Sequence, residues 1–197
     1  MSAKLKTAVL ISGRGSNLKA LIGACAQKDF PAEIVLVISN VADAGGLDYA
    51  RAAGIPAAIV AHKDYPSREA FDAAMDARLR EARVECICLA GFMRILSDAF
   101  VRKWEGKMIN IHPSLLPAYK GTHVHERVLA AGEKISGCTV HFVVPELDSG
   151  PTILQAEVPV KPGDTPDTLA SRVLETEHTI YPQALKLMAE GREQVKV

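Results

Sequence analysis

The chain has 197 residues, 48% of them apolar and 23% charged, enough for one domain with a sizeable core. Lysine plus arginine number 23, as do aspartate plus glutamate; no sequence-wide field draws the chain to nucleic acid or an anionic membrane, so an anionic ligand must be held locally. No apolar run approaches the roughly 18 to 20 residues that span a bilayer, and the first apolar stretch carries Lys4 and Lys6, so an untargeted, soluble protein is expected.

In chain order, Leu5 to Ile11 is a short apolar run ended by Ser-Gly-Arg-Gly-Ser-Asn, after which Leu18, Leu21, Ile22 and Cys25 recur at helical spacing. A strand, a tight loop and a helix are predicted there. Glu33 to Ile38 is a second strand-like run, followed by a loop from Asn40 to Gly46 and a helix from Leu47 to Ala53 closed by Gly54. Ala57 to Ala61 reads as a third strand, and Ser67 caps a helix with Phe71, Met75 and Leu79 on one face. From Val84 to Ala90 both alternating faces are mainly apolar, the pattern of a central strand covered by helices on each side. A short helix from Ser97 to Trp104 leads to a fifth strand, Met108 to Ile111, cut off by Pro113.

Beyond Gly121 come a helix around Glu126 to Ala130 and two strands, Cys138 to Val144 and Ile153 to Val160, joined by Leu-Asp-Ser-Gly-Pro. So short a connection suits antiparallel pairing. Thr165-Pro166 starts a last helix with Leu169, Val173, Thr176 and Ile180 along one face, and Pro182 is expected to break or kink it. No repeat, low-complexity tract or linker interrupts the series, so residues 1–197 are read as one α/β domain. Its expected architecture is a Rossmann-like, mostly parallel sheet flanked by helices, with an antiparallel β extension toward the C-terminus.

Cys25, Cys86, Cys88 and Cys138 contain no C-x-x-C pair, and three of them lie in apolar runs, where a reduced thiol packs as a small hydrophobe, as in a cytoplasmic protein. His123 and His125 lack a second closely spaced ligand pair, so no metal is expected.

The loop Ser12 to Asn17 lies between the first strand and the first helix, where glycines permit close backbone approach and a helix N-terminus offers N–H groups to an anion. Leu18 stands where a dinucleotide fingerprint needs its third glycine, and there is no P-loop lysine. A monophosphate therefore fits better than a dinucleotide. The alternative is a tight strand-to-helix turn with Ser16 as its cap.

Asn110 and His112 leave the fifth strand two residues apart, so they share a face at its C-terminal end. Open α/β sheets place their ligands at that edge, where the glycine loop also lies. Asp148 occupies the turn between the next two strands, within reach of an imidazole. Attack of an amine on a carbonyl donor needs a hydrogen-bond donor for the developing oxyanion and a group that moves protons, and Asn, His and Asp supply these. No serine or cysteine nucleophile stands beside them, which favours direct transfer without a covalent enzyme intermediate. Each of the three also has an ordinary structural use, as a turn former or a packed histidine.

The strings Gly13-Arg-Gly-Ser-Asn17, Ala90-Gly-Phe-Met-Arg94, Ile109-Asn-Ile-His-Pro-Ser-Leu-Leu-Pro117 and Glu146-Leu-Asp-Ser-Gly150 resemble, in order, the motifs of the folate-dependent formyltransferases. Within that group the glycine loop resembles the phosphoribosylglycinamide formyltransferase family, and the resemblance runs over nearly the whole chain. It implies transfer of a formyl group from the co-substrate 10-formyltetrahydrofolate to the amine of glycinamide ribonucleotide, in purine synthesis. It further implies that Gly15, Ser16 and Asn17 hold the substrate phosphate and that Glu177 contacts its ribose. Arg68, Met93, Arg94, Ile95 and Leu96 would line the folate site, with Asn110, Val143, Val144, Pro145, Glu146 and Leu147. Asn110, His112 and Asp148 would form the catalytic set, His112 giving a proton or hydrogen bond and Asp148 favouring its charged form. The implied partners are these two small molecules, with no nucleic acid, membrane or metal; a homodimer is left open.

Two departures from the family pattern stand out. Val144-Pro145 replaces the usual Thr-Asp, and Asp148-Ser149-Gly150 replaces the frequent Asp-Gly-Gly. Pro145 removes one backbone N–H and an acidic side chain from the folate loop but keeps its carbonyl. Formyltetrahydrofolate hydrolases and the methionyl-tRNA formyltransferase share the Asn-His-Asp set but carry further domains. A non-catalytic binder of a phosphorylated metabolite would use the glycine loop alone.

Overall fold

The computed structural model describes residues 3–191. Strands β1 (Leu5–Ile11), β2 (Ala32–Ser39), β3 (Ala57–Ile59), β4 (Cys86–Leu89), β5 (Met108–His112), β6 (Ile135–Phe142) and β7 (Thr152–Pro159) form one sheet ordered β3-β2-β1-β4-β5-β6-β7. The strands from β3 to β5 are parallel, while β6 runs antiparallel to β5 and β7 to β6. This is the mostly parallel sheet with an antiparallel extension that the sequence predicts, and β4 is its central strand.

Alternation along the strands divides the core in two. Val9 and Ile11 of β1 and Cys86 and Cys88 of β4 pack under α1 (Ser16–Cys25), α2 (Gly46–Ala52), α5 (Val124–Ala130) and α6 (Pro166–Ala189). Ala8 and Leu10 of β1 and Ile87 and Leu89 of β4 face α3 (Arg68–Glu81) and α4 (Asp98–Lys103), whose Phe71, Met75 and Phe100 are buried there. Each such large apolar side chain contributes roughly 1.5–3 kcal/mol by leaving water. Helix starts follow their predicted chemistry at Ser67, which accepts from Ala70 N–H, and at Thr165, which forms a reciprocal capping box with Thr168.

Three expectations are corrected. Of the break or kink expected at Pro182, the break does not occur: helix α6 runs on to Ala189. An interior proline costs about 3 kcal/mol, and here tertiary packing offsets it: Tyr181, Ala184 and Leu185 are fully buried, and the Tyr181 hydroxyl donates to the carbonyls of Leu89 and Ile109 at 2.8 and 3.2 Å. The buried stripe of α6 includes Glu177, whereas Thr176 is only half-buried. Strand β6 begins at Ile135 and ends at Phe142, so Val143 and Val144 belong to a loop.

The first helix is capped by Gly15, in the left-handed conformation (φ 75°), and Ser16 is its first residue with no side-chain cap. A Cβ at Gly15 would press on the Cα of Gly46, whose N–H donates to the Gly13 carbonyl at 3.0 Å. Close packing of two loops, together with a positive φ, requires glycine there.

Because β1 has β2 on one side and β4 on the other, the chain crosses over in opposite directions from it. The C-terminal ends of β1, β4 and β5 therefore open a cleft at the switch point. The glycine loop, the segment after β4 and the end of β5 all border it.

Candidate active site

Ile109 and Ile111 of β5 turn into the α1/α6 core, so the intervening Asn110 and the following His112 turn to the other face. Antiparallel register puts His141 of β6 opposite Asn110, and neighbours so paired touch: Asn110 Nδ2 and His141 Nε2 are 3.5 Å apart. Asp148 enters from the β6–β7 turn with φ 48°, a left-handed conformation unusual for a side-chain-bearing residue. Its Oδ2 lies 3.5 Å from His112 Nδ1 and accepts the Gly121 N–H at 2.9 Å, while Oδ1 lies 3.7 Å from His141 Nε2. The predicted trio is brought together, and His141 joins it.

Hydrogen bonding assigns roles to the two rings. His112 Nε2 lies 2.9 Å from the Tyr119 carbonyl oxygen, so that nitrogen donates, and Nδ1 faces the Asp148 carboxylate. Each ring nitrogen thus meets an oxygen, and Nδ1 is the one not held by a backbone carbonyl. His141 Nδ1 donates to the Phe142 carbonyl at 2.9 Å. Burial pushes the His141 pKa down, against the pull of that bond and of Asp148, so the neutral ring presents a bare Nε2 to Asn110.

Asn110, His141 and Asp148 floor a cavity of about 160 Å³. Arg94, Ile95 and Leu96 form one wall and Val143, Val144, Pro145 and Leu147 the other, with Asn110, His141 and Asp148 between them. Its surface is apolar with a few convergent polar groups, the composition of a small-molecule site. No serine, cysteine or lysine lines it. His112 is buried just behind Asp148 and is not part of the wall.

The structure sorts the remaining predicted residues. Met93 is exposed on the rim, its N–H bonded to Ser12 Oγ at 2.7 Å. Glu146 points to solvent from the turn, and Arg68 is exposed at the first turn of α3; neither contributes to the wall. His141 and Phe92, which stacks on Phe71 at 6.5 Å, line the cavity or pack beneath it and were not singled out by sequence. His141 becomes visible only once the β5–β6 register is known. Among the described residues no group of three or more His, Cys, Asp or Glu could hold a metal, and His123 instead faces Glu126 at 3.7 Å.

At the glycine loop, Asn17 is buried and its Nδ2 donates to Glu177 Oε2 at 2.8 Å. Burial pushes the Glu177 carboxyl up to about 7, against the lowering effect of that bond. Asn17 Oδ1 is buried without a hydrogen-bond partner. Gly15 and Ser16 stay accessible at the start of α1.

The sequence profile of the formyl transferase family matches residues 5–185. The chain is 57% identical over 192 residues to the trifunctional purine biosynthetic protein adenosine-3 of Gallus gallus, covering 98% of this chain and 19% of that protein. It is 48% identical over 184 residues to the phosphoribosylglycinamide formyltransferase of Escherichia coli K12, covering 93% of this chain and 87% of the relative. The crystal structure of glycinamide ribonucleotide transformylase 1 from Symbiobacterium toebii superposes with a TM-score of 0.96 at 45% identity, covering 100% of this chain and 92% of that one. The chain thus spans about a fifth of the trifunctional relative and most of the bacterial one.

Proposed function

The chain belongs to the formyl transferase family, and from that premise we propose that it transfers the formyl group of 10-formyltetrahydrofolate to the amine of 5'-phosphoribosylglycinamide. The products are 5'-phosphoribosyl-N-formylglycinamide and tetrahydrofolate, in de novo purine biosynthesis. The observation that carries this reading is the set Asn110, His141 and Asp148 at the floor of an apolar cavity, with His112 just behind Asp148, on the sheet edge that also bears the glycine loop.

The residues present fit the co-substrate. A flat pterin-type ring suits the apolar walls built by Leu96, Val143 and Leu147, and the turn carbonyls offer acceptors at its edge. Pro145 limits the turn to one donor fewer. At the other end, Gly15 N–H, Ser16 and the start of α1 suit a phosphate. Asn17 acts there by fastening Glu177, which faces the ribose.

With one N–H of Asn110 turned toward His141, its second N–H is free to donate to the formyl oxygen as negative charge develops on it. The amine loses a proton as the new C–N bond forms, and the folate nitrogen gains one as the old C–N bond breaks. The Asp148–His112 pair takes up the first and returns the second through His112 Nδ1, the nitrogen of that ring not fixed on a backbone carbonyl. No serine, cysteine or lysine lines the cavity, which favours direct transfer without a covalent enzyme intermediate.

The reading also carries a single formyltransferase domain over residues 1–197 and a cytoplasmic site of action, in keeping with four free cysteines. Among the described residues no helix is long and apolar enough to cross a membrane. The test is an assay of tetrahydrofolate release with and without the ribonucleotide: release should require it, and equal release in its absence contradicts the proposal.

A further inference from the structure

The turn that presents Asp148 is anchored firmly at its ends and loosely in its middle. At one end Val143 N–H donates to Met108 at 2.9 Å; at the other, Gly150 lies so close to the Phe142 carbonyl that a Cβ there would overlap it. Between them Leu147 is 59% exposed and Glu146 points to solvent, so little burial holds the turn. Among the described residues, every polar contact joining residues 145–149 to the rest of the chain runs through the Asp148 carboxylate or through Lys120.

Lys120 Nζ donates to Ser149 Oγ at 2.6 Å, and the same hydroxyl donates to the Leu147 carbonyl at 2.9 Å, closing the turn on itself. Glu146 lies 3.9 Å from the ammonium on the other side. Lys120 is itself fixed, because its carbonyl accepts from Arg127 Nη1 at 2.6 Å, and it sits between Tyr119, whose carbonyl holds His112, and Gly121, whose N–H holds Asp148.

We propose that Lys120 is a positioning residue, which ties the 145–149 turn to the 119–121 segment through Ser149 and so holds Asp148 on His112. Segment 119–121 then sets both partners of the proton-moving pair at once: His112 through Tyr119, and Asp148 through Gly121 and Lys120. Asp148 is held at φ 48°, a left-handed conformation that aspartate tolerates better than most side-chain-bearing residues. Without the ammonium, the Asp148 carboxylate must anchor the turn alone, and the turn samples states in which it leaves the imidazole. A glycine at position 149 would offer no hydroxyl for this tether, so Lys120 and Ser149 work as a pair. The inference rests on the formyl-transfer reading for its kinetic consequence but not for its structural one.

The experiment compares Lys120→Met, which keeps the apolar stem, with Ser149→Ala, the double variant and Lys120→Arg. In the full chain, hydrogen–deuterium exchange over residues 145–149 should rise several-fold in either single variant, rise no further in the double, and return toward wild type in Lys120→Arg. Thermal stability should stay nearly unchanged. With both substrates, kcat should fall about tenfold and KM for the folate should rise, while KM for the ribonucleotide stays within about twofold. Wild-type exchange in both single variants, or additive effects in the double, overturns the tether. If the wild-type chain transfers no formyl group, the functional reading fails and the exchange data still decide for or against Lys120.

Discussion

Asn17 Nδ2 donates to Glu177 Oε2 at 2.8 Å, joining the first turn of α1 to the middle of α6 across 160 residues of sequence. The bond compensates only part of the cost of burying a carboxyl there, and Glu177 is pushed up from 4.5 to about 7. A raised carboxyl pKa means that the folded chain binds the proton more tightly than the unfolded one. Its contribution is fully present below about pH 4.5 and is lost as pH rises through 7. The loss at alkaline pH is on the order of 3 kcal/mol. Glu177→Gln, which keeps an acceptor for Asn17, should therefore raise the Tm relative to wild type at pH 8.5 and leave it nearly equal at pH 5. The same variant should bind the ribonucleotide more weakly. Equal Tm differences at both pH values contradict a raised carboxyl.

Ser16 and Asn17 should separate by mechanism. Ser16→Ala removes a hydroxyl at the helix start and should raise KM for the ribonucleotide about tenfold, the size of a lost hydrogen bond to a charged group, with little change for the folate. Asn17→Ala removes the anchor of Glu177, and its effect should persist with a dephosphorylated substrate, where that of Ser16→Ala disappears. Calorimetric titration with both ligands measures each effect.

Asp148→Asn preserves the shape and the bond from Gly121 but removes the charge facing His112 at 3.5 Å. Turnover should fall by about 10²–10⁴, the usual weight of a proton-transfer group, while folate affinity stays within about tenfold. Steady-state kinetics beside ligand titration separates the two; near-native turnover would remove Asp148 from proton transfer.

His141→Leu keeps an apolar filler in a buried site but removes the acceptor opposite Asn110. An unanchored amide spends less time aimed at the oxyanion, so kcat should fall about tenfold with KM for the ribonucleotide unchanged. His141→Leu and Asn110→Ala should then be non-additive, since the first acts through the second. Additive losses would give His141 a separate role.

Most of the sheet is legible in the sequence because its signals are local: β-branched runs, Ser67 and Thr165 as caps, and a two-sided apolar β4. The site is legible where the chemistry sits on a strand end, as for Asn110 and His112. His141 is not, because its meaning lies in a cross-strand register that residue patterns do not disclose. Pro182 misleads for a related reason: the local penalty is real, but the burial of Tyr181 and Leu185 outweighs it. The bond from Asn17 to Glu177 is likewise invisible in the sequence, because it joins residues 160 positions apart that only the docking of α6 on α1 brings together.

The central claim is that these residues deliver the formyl group to an amine and not to water. The most direct measurement supplies 10-formyltetrahydrofolate labelled with ¹³C at the formyl carbon and follows that carbon by NMR, with and without 5'-phosphoribosylglycinamide. Holding the amine by its phosphate gives it a large effective-concentration advantage over water. The prediction is one labelled N-formylglycinamide ribonucleotide for each tetrahydrofolate released, with negligible formate when the acceptor is absent. Rapid formation of labelled formate without the acceptor would contradict the account and assign the same carboxylate and histidine to the activation of water.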